Sequence, residues 1–395
     1  MLRDNVSESN RGRADFSPTS LTDVEIQSRR MRISLADGHA AQYDQPYWIE
    51  TVRRLPEYEA TAAGMLDREA EGLYVERFME LFRQPEGLGL NMKILPNASW
   101  AIDTVMTLAV RRQWRVALIE PAFDNLFLYA RERGVPIVPV HEQRLRGDGV
   151  GALEGLDVDL LFLVTPNNPT GFTIQTAMLI EIAEWCARSR TTLAIDASFR
   201  AYDTTGADHY AILRDAGCSF VVIEDTGKTW PTRERKASIV SCSNDLKRDL
   251  NEICEIHVLG WSSPILVMLA DLATRFTTIG LEHALWAPVR RNREIIRAAV
   301  GGTFVRPAAE AVESTLPLEW LEILDDRCDD HAVMRACAKR GLGVLPGRHF
   351  HWATLRSNAP VGSRFFRVSL LKDQQTIETG AALLRETLLT IATEG

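Results

Sequence analysis

The chain has 395 residues, long enough for a large domain plus a smaller one. Hydrophobic residues make up 46% and charged residues 25%, ordinary proportions for a globular protein. A net charge of −8 gives no electrostatic footprint for nucleic acid or an acidic membrane surface, and no apolar run is long enough to span a bilayer.

The first eighteen residues are polar, rich in Ser, Arg and Asn, and lack the apolar stretch of a secretory signal. Residues 19–33 suit a short helix, with Thr22 as its N-cap and Glu25 at capping-box spacing. Glu25 also stands four residues before Arg29, the spacing of a surface ion pair. From about residue 90, short apolar runs alternate with helical stretches such as Asn125–Arg133 and Met178–Ser189. The runs are Val116–Ile119, Ile137–Val140, Leu160–Val164, Leu193–Ile195, Val221–Ile223 and Ala237–Val240. Such alternation predicts an α/β fold with a mainly parallel sheet covered on both faces. After about residue 275 the pattern changes: helical segments flank Gly343–Leu345 and Phe365–Leu370, which read as strands of a smaller α+β domain. The division is a tail and covering helix over 1–48, a large domain over 49–275 and a small one over 276–395.

Ligands in open parallel sheets bind beyond the carboxyl ends of the strands, and the reactive residues cluster there. Thr165-Pro-Asn-Asn-Pro-Thr-Gly171 is a rigid turn carrying two amides. About thirty residues on, Asp196 ends a buried strand, where a carboxylate is costly unless paired. Lys228 follows the next strand after a further thirty residues; burial there suits an amine that forms a Schiff base. Six cysteines (186, 218, 242, 254, 328, 337) form no C-x-x-C pair, so neither a zinc site nor a disulfide framework is expected, and free thiols fit a cytoplasmic protein. His349 and His351 have no carboxylate or Cys at ligand spacing, so no metal is expected.

The ordered set of Asn168, Asp196 and Lys228, with the TPNNPTG run, resembles the fold-type I enzymes of the class I/II aminotransferase family over roughly residues 35–390. The resemblance implies pyridoxal 5′-phosphate (PLP), a large sheet domain with a smaller C-terminal domain, and a homodimer. It places Asn168 on the phenolate oxygen, Asp196 on the pyridine nitrogen, and Lys228 as both Schiff-base amine and acid/base at Cα. Phe123 falls where a ring stacks on the cofactor. Ala98, Ser99, Trp100, Thr226 and Lys236 fall near its phosphate, and Arg367 where the substrate α-carboxylate binds.

Three departures from the ordinary aminotransferase pattern are informative. Phe199 replaces a phenolate-donating Tyr, Lys236 replaces a phosphate-binding Arg, and Asp225 replaces a phosphate-binding Ser. An anion at the last position is repelled by phosphate and serves another partner. With Ala36-Asp-Gly-His-Ala40, Asp196-Ala-Ser-Phe-Arg200, Trp230-Pro-Thr232 and Phe350-His-Trp-Ala353, these changes resemble the PLP- and O2-dependent arginine oxidases and hydroxylases of antibiotic biosynthesis (enduracididine-type). In that subgroup Thr22, Glu25, Asp37 and Asp225 match substrate-binding positions, and His39 matches a histidine of the oxidation. The implied reaction is removal of the Cα proton, then oxidation by O2 to a 2-keto acid. Processing of an S-conjugated cysteine as in lincosamide pathways, ordinary transamination, and a non-catalytic PLP-binding module stay open.

Overall fold

The computed structural model describes residues 20–394; the polar tail read at residues 1–18 lies outside them. Seven strands form the main sheet in the order Asn91–Leu95, Ser238–Cys242, Phe220–Asp225, Thr192–Ala197, Leu160–Val164, Val116–Glu120, Ile137–His141. Six run in one direction and Ser238–Cys242 runs against both neighbours. Every residue of Leu160–Val164, Thr192–Ala197 and Phe220–Asp225 is buried, as strands covered on both faces require. The Val-, Ile- and Leu-rich runs therefore show no alternation, and their polar residues fall at the carboxyl ends.

The reversed strand has a local consequence. Asp225 pairs with Ser238, so the loop between them turns back at the carboxyl edge of the sheet. That turn brings Lys236 beside Lys228. Side chains also alternate across the strand end. Glu224 is fully buried, bound to Arg200 at 2.7 Å and to the Tyr210 hydroxyl at 3.2 Å, whereas Asp225 lines a cavity at the sheet crest. The adjacent acids of the Ile223-Glu-Asp-Thr-Gly-Lys228 stretch thus have separate duties, and Arg200 balances the one inside the core.

A four-stranded antiparallel sheet, Leu345–Pro346, Phe365–Ser369, Leu318–Ile323, Val305–Pro307, forms the second layer. The expected strand Phe365–Leu370 forms over Phe365–Ser369, and the one expected at Gly343–Leu345 is split between Leu342–Gly343 and Leu345–Pro346; the partner Leu318–Ile323 carries Glu319 and Glu322 and gave no clear strand signal. Helix Ser263–Ile279 runs through the boundary read at residue 275 and packs along helix Asp67–Leu81. The chain turns by 97° at Gly280, where φ is +82°. Among the described residues, no single helix is long and apolar enough to cross a membrane.

The N-terminal segment belongs structurally with this second layer. Ile33–Ser34 pairs in parallel with Leu342–Gly343. Leu35 accepts from the Ser369 amide at 2.6 Å, and the Ala41 amide donates to Leu371 at 2.9 Å. Helix Leu21–Ser28 lies over Gly343, where a Cβ would strike Ser28. Its N-cap is Ser20, whose hydroxyl accepts from the Asp23 amide at 3.1 Å, and not Thr22 as the spacing suggested. Glu25 is buried and does not pair with Arg29, which binds Asp37 at 2.8 Å instead, while Thr22 stays exposed at the rim of the cavity described below.

Candidate active site

A cavity of about 270 Å³ lies at the carboxyl ends of the parallel strands. Of the residues expected at the site, Thr22, Glu25, His39, Ala98, Ser99, Phe123, Asn168, Asp196, Asp225, Lys228 and Lys236 all line it. Asn97, Asn125, Ser198 and Phe199 complete its polar and aromatic wall.

Asp196 is buried near the end of its strand. One of its oxygens accepts from the Ser198 amide at 2.9 Å and the Ser198 hydroxyl at 2.5 Å. Burial pushes its carboxyl up, against those two bonds and the charge of Lys228. A cationic ring nitrogen in the cavity would meet that unmet demand. Burial also lowers the Lys228 ammonium, opposed by Glu25 and helped by Lys236, which favours the free amine that bonds an aldehyde.

At the positions expected to hold the phosphate, Asn97 caps helix Ala98–Arg112, whose N-terminus opens into the cavity beside Lys236. Two expected residues do not reach the cavity. Thr226 is fully buried and spends its hydroxyl on Ala237, which ties the loop together. The Trp100 indole is exposed and meets His257 edge-on at 5.4 Å, because helical geometry carries it to the outer face. Gly171 ends the Asn-containing turn at φ +76°, and a Cβ there would collide with Ser314. The donor set, a buried carboxylate, a buried amine and a helix N-terminus with a lysine, fits PLP.

The residues expected to face the substrate come from opposite ends of the chain. Arg367 is 1% exposed and donates to Asn168 at 3.1 Å, to Glu25 at 2.9 Å and to the Ala36 carbonyl at 2.7 Å. Its guanidinium lies 5.8 Å from the Phe123 ring centre and 5.6 Å from that of Phe350. Asp225 accepts from the Gly227 amide at 3.0 Å, while its other oxygen is buried without a partner. Asp37 stands behind His39 rather than in the cavity wall, and binds its Nδ1 at 2.7 Å and its amide at 3.0 Å. Nε2 of His39 lies 3.0 Å from Lys236. The charge of Lys228 and burial hold His39 below its ordinary range, so its neutral form faces the cavity. Burial pushes Asp37 up, but its hydrogen bonds from His39, aided by the charge of Lys372, hold it well below the carboxylate range.

Glu25, Asp37 and His39 have potential ligand atoms within 4.8 Å of one another, a spacing that a metal could bridge. Their existing partners are cationic or hydrogen-bonding: Arg367 for Glu25, Arg29 for Asp37, Lys236 for His39.

Sequence reasoning missed two supports. Lys372 donates to the Asp37 and His39 carbonyls at 2.9 and 3.1 Å. Asp124 accepts from the Leu21 amide at 2.8 Å and so seats the first turn of helix Leu21–Ser28. Burial raises its carboxyl to about 7, against that bond. Neither carried a motif, although Asp124 adjoins Phe123.

The sheet, the crest cavity and its donor set define a fold-type I PLP enzyme. The chain belongs to the class I/II aminotransferase family. The model for "Aminotransferase class I and II" matches residues 61–227. The structure of MppP soaked with the product 2-ketoarginine is 31% identical, with a TM-score of 0.83, over 90% of this chain and 99% of that one. Two other structures share the fold. LysN, the α-aminoadipate aminotransferase of Thermus thermophilus, is 15% identical with a TM-score of 0.75, over 95% of this chain and 96% of that one. The histidinol-phosphate aminotransferase of Clostridium acetobutylicum is 13% identical with a TM-score of 0.68, over 91% and 99%. No curated protein sequence matches the chain.

Proposed function

We propose that this enzyme oxidises a cationic L-amino acid, L-arginine first, with O2. For simple oxidative deamination the amino acid, O2 and water give a 2-keto acid, ammonia and hydrogen peroxide. The observation that carries this reading is the pair of acids on the cavity wall: Glu25 and Asp225 flank Lys228, and Arg367 stands behind. An ordinary transaminase has no use for an anion where Asp225 stands. The relative bound to 2-ketoarginine supports the same substrate class.

PLP, when bound, supplies an electron sink for the charge left at Cα. Lys228 moves the Cα proton, and burial, which lowers its ammonium, suits that duty. Asp196 keeps a proton on the ring nitrogen. Arg367 holds the α-carboxylate with a planar fork. Asp225, with one oxygen unpaired, accepts from the substrate cation. His39, neutral and oriented by Asp37, transfers a proton to reduced oxygen or positions water. Phe199 in place of a Tyr removes a donor from the phenolate side. By family resemblance the assembly is a homodimer.

The test is Asp225→Asn in the PLP-loaded protein. Losing a charge-assisted bond costs about 1.5–3 kcal/mol, so arginine affinity should fall roughly ten- to a hundred-fold while the cofactor stays bound. Release of PLP would show that Asp225 serves the cofactor instead.

A further inference from the structure

The contact between Glu25 and Arg367 places an internal carboxylate on the guanidinium assigned to the substrate's own carboxylate. Both side chains are buried, and they come from positions 342 residues apart. An Arg buried to this degree is costly without an anion, and Glu25 is the anion it has. The pairing is incomplete. Glu25 and the Ala36 carbonyl both take Nη2, Asn168 takes Nη1, and Nε is buried with no acceptor. The Nε–Nη2 edge is the side on which a planar carboxylate binds with two parallel bonds. Glu25 fills half of that fork.

We propose that Glu25 is a built-in stand-in for the substrate α-carboxylate, and that its displacement makes the site selective for amino acids with a cationic side chain. This inference rests on the functional reading above and deepens it. An arriving α-carboxylate completes the fork and pushes Glu25 off Arg367. The released carboxylate is confined in a small cavity that already holds Asp225. A neutral side chain brings Glu25 no cation in exchange for Arg367, leaving this buried anion only the Gly38 amide, which donates to it at 3.3 Å. A guanidinium gives Glu25 a new partner and joins it to Asp225. Charge balance, and not only fit, then couples the two ends of the substrate: the carboxylate end binds well only when the far end brings a positive charge. Gly38 makes the exchange possible sterically. A Cβ there would fall 3.3 Å from Arg367 Nη2 and 3.7 Å from Glu25 Oε1, in the space between the pair and Lys228.

The experiment is anaerobic calorimetric titration of the PLP-loaded wild type and Glu25→Gln with three amino acids: L-arginine, its neutral isostere L-citrulline, and L-norvaline, which has no polar tail. The wild type should prefer arginine to citrulline by at least tenfold. Glu25→Gln should bind arginine at least tenfold more weakly and norvaline several-fold more tightly than the wild type, because an internal competitor has been removed. That gain is the distinguishing sign. If Glu25→Gln weakens arginine but leaves norvaline unchanged, Glu25 is a simple clamp and the exchange is wrong. If helix Leu21–Ser28 instead swings out with Glu25, norvaline and arginine shift equally, which also overturns it. Should the variant lose its cofactor, the wild type decides alone: equal affinity for arginine and citrulline contradicts the proposal. Oxygen consumption in air tests the reaction separately, so failure of the oxidase reading would not mimic failure of the exchange.

Discussion

The crest of the seven-stranded sheet and the N-terminal segment build opposite walls of one cavity by different physical means. Asp196, Lys228 and Asn168 sit on or just after fully buried strands, so backbone ladders fix their positions before any ligand arrives. Glu25, Thr22 and His39 ride on an eight-residue helix and a loop. These are held by a two-residue parallel bridge, the Lys372 ammonium and the Asp124 carboxylate. In the proposed reading the carbon-acid chemistry thus comes from the core, and a lightly tethered piece adds Glu25 to the substrate contacts made by Asp225 and Arg367. The difference teaches that losing Lys228 or Asp196 at the crest should abolish the reaction, whereas changing Glu25 on the segment should alter which substrate binds.

Lys228→Ala should give the largest effect. General acid–base transfer contributes about 10²–10⁴-fold, and the Schiff-base attachment goes with it, so turnover should become undetectable. Borohydride should fix PLP to the wild type and not to the variant; fixation in the variant would break the crest assignment. Arg367→Lys keeps the charge and loses the fork. KM for arginine should rise about tenfold or more with the cofactor absorbance unchanged. A change in the cofactor band instead would mean that Arg367 serves the crest.

The two walls also differ in how far the sequence discloses them. Buried strands ending in Asn, Asp and Lys at thirty-residue intervals are visible because a continuous apolar run and a polar terminus are both local properties. The register that sets Lys236 beside His39 depends on the reversed strand Ser238–Cys242, whose apolar content looks like that of its parallel neighbours. The Glu25–Arg367 pair joins the two ends of the chain, and no periodicity within either segment encodes it. Trp100 and Thr226 show the converse: each lies in the right loop or turn, but its side chain is directed elsewhere. Asp124 and Lys372 act through backbone groups of remote residues, and such contacts leave no pattern in sequence.

The smallest expected effect sharpens the comparison at the tether. With the helix docked, Asp124 titrates near 7; released to water it should titrate near the ordinary value of about 4. Docking therefore takes up a proton. Its stabilisation is full below about pH 4 and is lost as pH rises toward 7. Glu25, Arg367 and His349 face this carboxylate and share in the balance. Asp124→Asn is always neutral and still accepts from the Leu21 amide, so it should flatten the pH dependence of arginine KM between pH 5 and 8 with little change in kcat. An unchanged KM profile would remove Asp124 from the tether.

The central proposal is that the electrons removed from the amino acid pass to O2 and not to a second substrate. The most direct measurement is a single aerobic incubation of the PLP-loaded enzyme with L-arginine and no keto-acid acceptor, following dissolved oxygen and 2-keto acid together. The account predicts sustained oxygen uptake matched to 2-keto acid over many turnovers. One equivalent of keto acid per active site, with the cofactor left in its amine form and no oxygen consumed, would contradict it and identify an ordinary aminotransferase.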